Sequence, residues 1–482
     1  MVALRKKLVG ILAGLGVCVF AINAQNDVGM YFMRELPQSS FLNPAHQIPC
    51  NVFVGMPLLS SIHAGYDNSL FSYNNVIIRN PQDSLIPNFD FFLTHSRAGK
   101  IEFIRTELEL SLIHFGFKIK KKYYVTFFIR DRADVGLLYP INLIRLPLAG
   151  NTPYIGTTYR MDGLRFFGNY FREWALGLSK TIDERLTVGA RAQLLFGKAN
   201  LHTYYNRLYL YTNPDIYQLE TGSSLQINGS PLLVTIDNNN QLQNVEIPSM
   251  SVTSLLLNRK NKGLALSAGA MYQYTDDIVL EASLLDVGAI YWRYVPVRVQ
   301  EKANFTYNGF RYNPVTRQFE NAQQTIDSAL QSYTLSAAQK NYVTALSPKL
   351  YVGGTYRLKP WLQLGILLRN ELYHNRLNTS LTSTLLVNYK ALSLVANWTY
   401  IHRSLLNPGI GINIQTRRLG FYAISDNVYG IFKYKSMRYS NLRFGFNLFW
   451  GCPRSSQVSE TVCPAYDNLP QKRYRLKELK SK

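Results

Sequence analysis

The chain holds 482 residues with a net charge of +22, is rich in Tyr (33) and Phe (25), and has a mean hydropathy of −0.10. Beyond its N-terminal run, no stretch reaches the roughly 20 apolar residues that a transmembrane helix needs, which excludes a helical membrane protein. The basic residues are spread along the chain rather than gathered into a stripe, which argues against nucleic acid as a partner.

Arg5, Lys6 and Lys7 precede an apolar run of 15 residues, Leu8 to Ile22, followed by Asn23-Ala24. A basic start, a short apolar core and a small residue at the cut describe a secretory signal peptide over 1–24, cleaved after Ala24. Export changes the meaning of the charge, which is still +19 once those three cations are removed. Lipopolysaccharide phosphates, the cell wall or an acidic protein become its expected counterparts. Cys18 leaves with the signal, so Cys50, Cys452 and Cys463 remain, and an odd count rules out a fully paired framework. Cys452 and Cys463 are close enough in sequence to close a small loop, which makes Cys50 a buried free thiol. No CxxC or Cys/His cluster points to a metal, and no cofactor motif is present.

From Gln25 to about Pro57 the chain has few charges, and Phe32, Leu36, Phe41 and Leu42 follow no strand alternation. After it, one unit recurs: strand, short turn, strand, long loop. Ser111–Ile119 and Tyr123–Arg130 flank Lys120-Lys121-Lys122. In the clearest hairpin, from Glu173 to Gly197, Trp174, Leu176 and Leu178 alternate with small residues, and the turn is Ile182-Asp183-Glu184-Arg185. Its return strand puts Leu186, Val188, Ala190, Ala192, Leu194 and Phe196 on one face. Gly263–Tyr274 pairs with Ile278–Val287, Leu350–Leu358 with Leu362–Tyr373, Leu381–Tyr389 with Leu392–His402, and Gly409–Gln415 with Leu419–Ser425. The last strand, Leu442–Trp450, sets Leu442, Phe444, Phe446, Leu448 and Trp450 against Arg443, Gly445 and Asn447.

Alternation over about ten residues exceeds the usual globular strand and matches a tilted transmembrane strand. Residues 131–168, 203–261 and 293–347 read as long loops, which a compact soluble domain rarely carries. Short turns on one side and long loops on the other are the pattern of an outer-membrane barrel. Counting back from Trp450, every short turn falls on the periplasmic side. Aromatics such as Tyr123, Trp174, Tyr272, Trp292, Trp361, Trp398 and Trp450 fit two interfacial girdles. A secreted soluble β-protein with one wet face is the competing reading. The fold class is therefore all-β, a transmembrane antiparallel barrel in the outer membrane of a Gram-negative cell.

With apolar faces outward, the lumen receives Arg191, Gln193, Ser267, Gln273, Glu281, Ser283, Gln363, Arg369, Glu371, Ser393, Asn397, Asn413, Gln415, Arg443 and Asn447. Arg369 and Glu371, two apart on one strand, point the same way and form a candidate pair. Side chains that satisfy one another are the expected role of these groups, ahead of a substrate gate.

Within Gln38-Ser39-Ser40-Phe41-Leu42-Asn43-Pro44-Ala45, the triplet Asn43-Pro44-Ala45 resembles the hatch of the fatty-acid channel (FadL) superfamily and of the PorV-like barrels of type IX secretion. The strands around Thr187–Arg191, Leu285–Trp292, Tyr422–Asn427 and Arg443–Asn447 are similar to theirs, in the same order. The whole looks like a domain-of-unknown-function branch of this group. The resemblance implies fourteen strands with an N-terminal segment folded into the lumen, and a count from about Ser60 to Trp450 also gives about fourteen (12–16). The expected division is signal 1–24, hatch 25–57, barrel 58–450 and a basic periplasmic tail 451–482, although Val52-Phe53-Val54 offers an earlier first strand.

Four functions follow as expectations. The resemblance implies a channel for a small hydrophobic molecule. The long loops and basic tail suit an accessory subunit of a secretion or surface-anchoring machine, partnered by secretion components or a periplasmic protein. An open porin is disfavoured if a hatch fills the lumen. An enzyme is disfavoured because His46, His63, His95, His114, His202, His374 and His402 are scattered without an HExxH or GxSxG motif. His114 and His402, at or near strand ends, read as interface residues.

Overall fold

The computed structural model describes residues 28–452, apart from 80–83, 121, 237–241, 247, 249–252, 254–257, 309–311, 314–317, 320–324, 326, 329–331 and 401–406. The expected signal peptide, the tail from 453 with Cys463, and His402 lie outside the described residues.

The wall is a closed antiparallel barrel of 14 strands. Its first strand is split into β1 (Val52–Gly55) and β2 (Ile62–Asn68). Next come β3 (Ile101–Ile119), β4 (Tyr123–Pro140), β5 (Arg165–Thr181) and β6 (Leu186–Thr212). An excursion, β7 (Leu219–Ser230), precedes β8 (Asn261–Gln273) and β9 (Ile278–Trp292). A second excursion holds β10 (Val297–Tyr307) and β11 (Tyr333–Ala338). The wall resumes with β12 (Tyr342–Ala345), β13 (Lys349–Lys359), β14 (Leu362–Tyr373) and β15 (Arg376–Tyr389). It ends with β16 (Leu392–Tyr400), β17 (Pro408–Gln415), β18 (Leu419–Ser425) and β19 (Tyr439–Trp450). Both halves of the first strand pair with β19 and with β3, which closes the sheet and leaves the wall no free edge.

The exterior is apolar because the alternating faces demand it. Leu176, Leu178, Leu264, Leu266, Ile366 and Ile410 are all exposed, while their strand neighbours Gln193, Ser267 and Arg369 are buried. Such a surface is stable only against lipid, so the barrel spans a membrane. At the short-turn rim, backbone bonds link neighbouring turns: Thr181 to Lys122, Gln273 to Arg185, Arg357 to Asp277, Asn388 to Trp361, Gln415 to Ala391 and Phe449 to Arg418. Asn51 completes the ring, donating to Gly451 and accepting from Lys118.

Three expectations change here. The first strand begins at Val52 rather than 58, the earlier of the two starts that the sequence offers; Met56–Ser61 forms a kink, with Leu58 at φ 63°, that splits it in two. The stretches expected as long loops contain strand: β4 runs to Pro140 and β6 extends over 27 residues to Thr212. Above the lipid both faces turn polar or Tyr-rich, so the period disappears while the ladder continues. There β6 leaves β8, pairs with β7, and builds an outer sheet β6–β7–β10–β11. The long-loop rim also carries one tight hairpin, β14 to β15, turning at His374-Asn375 with both residues at positive φ.

The third change concerns the disulfide. Cys50 bonds to Cys452, and Cys50 is neither free nor is Cys452 available to Cys463. The reason is register: Val52 lies opposite Trp450, so the residues just outside this pair meet at the barrel seam.

Candidate functional site: the lumen and its N-terminal segment

Residues 28–50 are buried almost throughout and contact lumen-facing side chains around the barrel. At the start, the backbone N–H groups of Val28 and Gly29 donate to the Asp426 carboxylate at 3.1 and 2.7 Å, and Asn397 and Asn441 hold the same carboxylate. Arg34 pairs with Glu281 and donates to Thr355 at 2.8 Å. His46 reaches the second oxygen of Glu281 at 3.0 Å. Gln38 and Asn447 exchange amide hydrogen bonds of 2.8 and 3.0 Å. Arg191 donates to the carbonyls of Ser40 and Phe41, and Ser283 to that of Leu42. These bonds satisfy the carbonyls and charges of a chain that has no regular structure beyond one short 3-10 turn, Pro37–Phe41.

Asn43-Pro44-Ala45 is a tight turn: the Ala45 N–H donates to Asn43 Oδ1 at 3.0 Å, and Asn43 Nδ2 reaches the Tyr31 hydroxyl. It rests on two glycines of the wall. A Cβ on Gly189 would stand 2.1 Å from the Pro44 carbonyl oxygen, and one on Gly269 would stand 2.0 Å from Asn43 Oδ1. Only glycine admits so close an approach, of backbone to backbone at Gly189 and of the Asn43 side chain to the wall at Gly269.

The lumen is two-sided, which the alternation did not show. On one side Val28, Met30, Tyr31, Phe32, Met33 and Leu36 of the segment form a core with inward-facing wall residues. These are Leu285, Tyr351, Leu367, Leu386, Val395, Tyr422 and Ile424. Tyr31 stacks on Tyr351 at 5.2 Å. The opposite side is ionic. Arg105 binds Asp134 at 2.9 Å, Glu371 at 3.2 Å and also Glu107. Arg132 joins Glu109, Glu173 and Asp286, while Arg130 bridges Glu109 and Glu173. Such a network is tolerated because each charge is paired and hydrogen-bonded.

Most of the lumen candidates are buried inward, whereas Trp292, expected in an interfacial girdle, is fully buried in a core with Leu195, Ile290 and Tyr342. Arg191 and Glu281 hold the segment. Arg369 lies 3.5 Å from Glu371 and donates to Tyr351, and Arg443 binds Glu109 at 2.7 Å and Ser61. Gln273 and Gln415 are only half-buried, at the short-turn rim. His114 is not an interface residue: it is wholly buried among Phe41, Phe53 and Phe128. Arg34, Arg105, Glu107, Glu109, Arg130, Arg132, Asp134, Glu173 and Asp286 escaped the sequence reading. Arg105, Glu107 and Glu109 alternate visibly, but they lie before Ser111–Ile119, the stretch whose apolar alternation marks the strand.

On the long-loop side of the segment lies a cavity of about 510 Å³. Arg105, Asp134 and Lys349 contribute to its polar lining, and Phe167, His202 and His374 to its ring-bearing one. His374, at the hairpin tip, lies 4.4 Å from Phe167 and stacks at 5.5 Å on His202. Burial, then the neighbouring His202 and two arginines, push its imidazole down to about 3.

A family model for the family of unknown function DUF5723 matches residues 44–426, and the chain belongs to that family. No curated protein matches the chain. Among solved structures it is similar to a Pseudomonas aeruginosa FadL homologue, at 10% identity and TM-score 0.33 over 86% of this chain and 94% of that one. It is also similar to the P. putida toluene transporter TodX (9%, TM-score 0.37, 85% and 92%). The Ralstonia pickettii toluene transporter TbuX gives 10%, TM-score 0.34, 86% and 94%.

Proposed function

We propose that the protein is a gated outer-membrane channel for small molecules with a hydrophobic part, with residues 28–50 as the gate. One observation carries this reading: the apolar face of the segment covers an apolar strip of inner wall, Tyr351, Leu367, Leu386, Val395, Tyr422 and Ile424. When the segment moves, that strip becomes a path for apolar groups, while the ionic side opposite keeps its own pairs. The cavity above the segment gives a solute a place to wait.

The test is reconstitution. The intact protein should show little ion conductance, and deletion of 28–47, which keeps Cys50, should open it. Proteoliposomes with the intact protein should also admit a monoaromatic or medium-chain acyl probe faster than empty vesicles. Steady, large conductance of the intact protein would replace this reading with an open porin, and probe flux equal to that of empty vesicles would end the transport reading.

The outer sheet favours a second reading, an accessory subunit of a surface machine. Its last strand, β11, pairs on one side only, with β10, among the described residues. A stoichiometric partner recovered from gently solubilised membranes, and lost on deletion of 297–340, supports that role.

A further inference from the structure

Four cations gather on the exterior where β8 and β9 reach the long-loop rim: Arg259, Lys260, Lys262 and Arg293, all exposed. Asn261 builds the group. Its buried side chain accepts from the N–H groups of Arg293 and Tyr294 at 2.9 and 2.8 Å and donates to the Gly197 carbonyl. This ties the two basic pieces together, and Arg293 Nε adds a bond to the Lys260 carbonyl at 2.7 Å. Arg259 lies over the Trp174 ring at 5.3 Å and Lys260 over Tyr294 at 4.0 Å, so two of the charges are held in place by aromatic faces.

Among the described residues none of the four has a carboxylate at ion-pair distance. The sequence holds no Asp or Glu at 258–275, 287–300 or 186–214, the described stretches around this surface. Asp131, on β4, is taken through both oxygens by Arg172 at 2.7 and 2.8 Å. Height matters as much as charge. Lys262 pairs with Phe196, ten residues along the strand from the Tyr272–Leu186 pair at the short-turn rim. That is one membrane thickness, about 9–11 residues of tilted strand. Directly below it on the lipid side stand Leu194, Leu264 and Leu266, exposed by 51%, 66% and 64%.

We propose that this patch docks a phosphate-bearing lipid of the outer leaflet, its headgroup phosphates on the four cations and its acyl chains on Leu194, Leu264 and Leu266. The proposal rests on the barrel lying in the outer membrane with its long loops outside. The continuous apolar surface beneath the charges selects a lipid over a soluble phosphate.

The folded protein, identified by faster gel migration unheated, is placed in phosphatidylcholine nanodiscs and titrated with diphosphorylated lipid A. Retained lipid is counted by native mass spectrometry. The variant Arg259→Gln/Lys260→Gln/Lys262→Gln/Arg293→Gln should bind at least about tenfold more weakly. Lys433→Gln/Lys435→Gln, elsewhere on the same rim, should bind as the unaltered protein does. If the fourfold variant does not fold, Arg259→Gln/Arg293→Gln is read instead, with about a threefold loss expected. Equal binding by the folded patch variant and the unaltered protein overturns the proposal, as does equal loss in the control. Competition by millimolar inorganic phosphate would make this a simple anion site and overturn the lipid assignment. A protein that never enters nanodiscs overturns the membrane reading beneath it, a different failure.

Discussion

Gly189 and Gly269 stand directly opposite one another on neighbouring strands, and the Pro44-Ala45 peptide and the Asn43 side chain lie in the gap left by their missing side chains. The wall thus has a seat for the lumenal segment at one place, where two strands lack side chains at the same level.

Filling that seat should unseat the segment. Gly189→Ala and Gly269→Ala each put a methyl about 2 Å from the segment, an overpacking that costs roughly 1–3 kcal/mol. Both should raise protease sensitivity over 28–48 and increase conductance. Gly168→Ala, whose new methyl has no neighbour nearer than 3.8 Å, should do neither. Unchanged proteolysis in both seat variants would mean that the segment is held elsewhere.

Removing Arg34 leaves the fully buried Glu281 carboxylate with His46 alone. Arg34→Met should destabilise the seated segment by about 3–5 kcal/mol, the usual cost of breaking a buried pair from one side. Arg34→Met/Glu281→Gln should recover much of it. Hydrogen exchange of amides 28–48 in the two variants checks this, and equal protection would show that the pair adds nothing.

Leu266 faces mid-membrane lipid, so Leu266→Arg should cost roughly 2–4 kcal/mol and lower the yield of folded barrel. Tyr217→Arg, equally exposed but in the outer loops, should leave it unchanged. The fraction with heat-modifiable gel mobility measures both. Equal yields would contradict the lipid face.

Digestion without reductant should yield one peptide pair joining Cys50 to Cys452, with Cys463 open to alkylation. Cys50→Ala should lower the melting temperature. A Cys452–Cys463 peptide instead would mean that the seam is closed by hydrogen bonds alone.

At the outer hairpin tip, His374 stays neutral in the fold down to about pH 3, whereas an unfolded chain protonates near pH 6.5. Between those values the unfolded state binds the extra proton, so stability falls as pH drops from about 7. The melting temperature should therefore drop less between pH 7.5 and 5.0 in His374→Asn, a residue that tolerates the positive φ at this position. Identical drops would show that His374 titrates as in water.

The sequence made the wall legible where one face meets lipid. Leu186–Phe196 and Leu442–Trp450 alternate cleanly because hydrocarbon tolerates no polar neighbour on that side. Above the membrane the constraint ends, and Thr203–Thr212 carries strand without period. The site was legible residue by residue and not as an arrangement. Arg191, Glu281 and Asn43-Pro44-Ala45 stand out alone, yet that one side of the lumen is ionic and the other apolar depends on which strands become neighbours. Cys50 shows the same limit: its partner is 402 positions away, set by barrel closure and invisible to spacing.

The split first strand has a consequence for how the molecule is made. Val52–Gly55 follows the lumenal segment without a linker and pairs with Asn447–Trp450 of β19, so the strand that closes the cylinder also holds the segment at its interior. Gln38 meets Asn447 and Val28 meets Asp426, about 400 positions apart, so these contacts wait for the last hairpin to arrive. Closing the cylinder and seating the segment are then coupled steps, because the same late strands supply both the seam and the segment's partners.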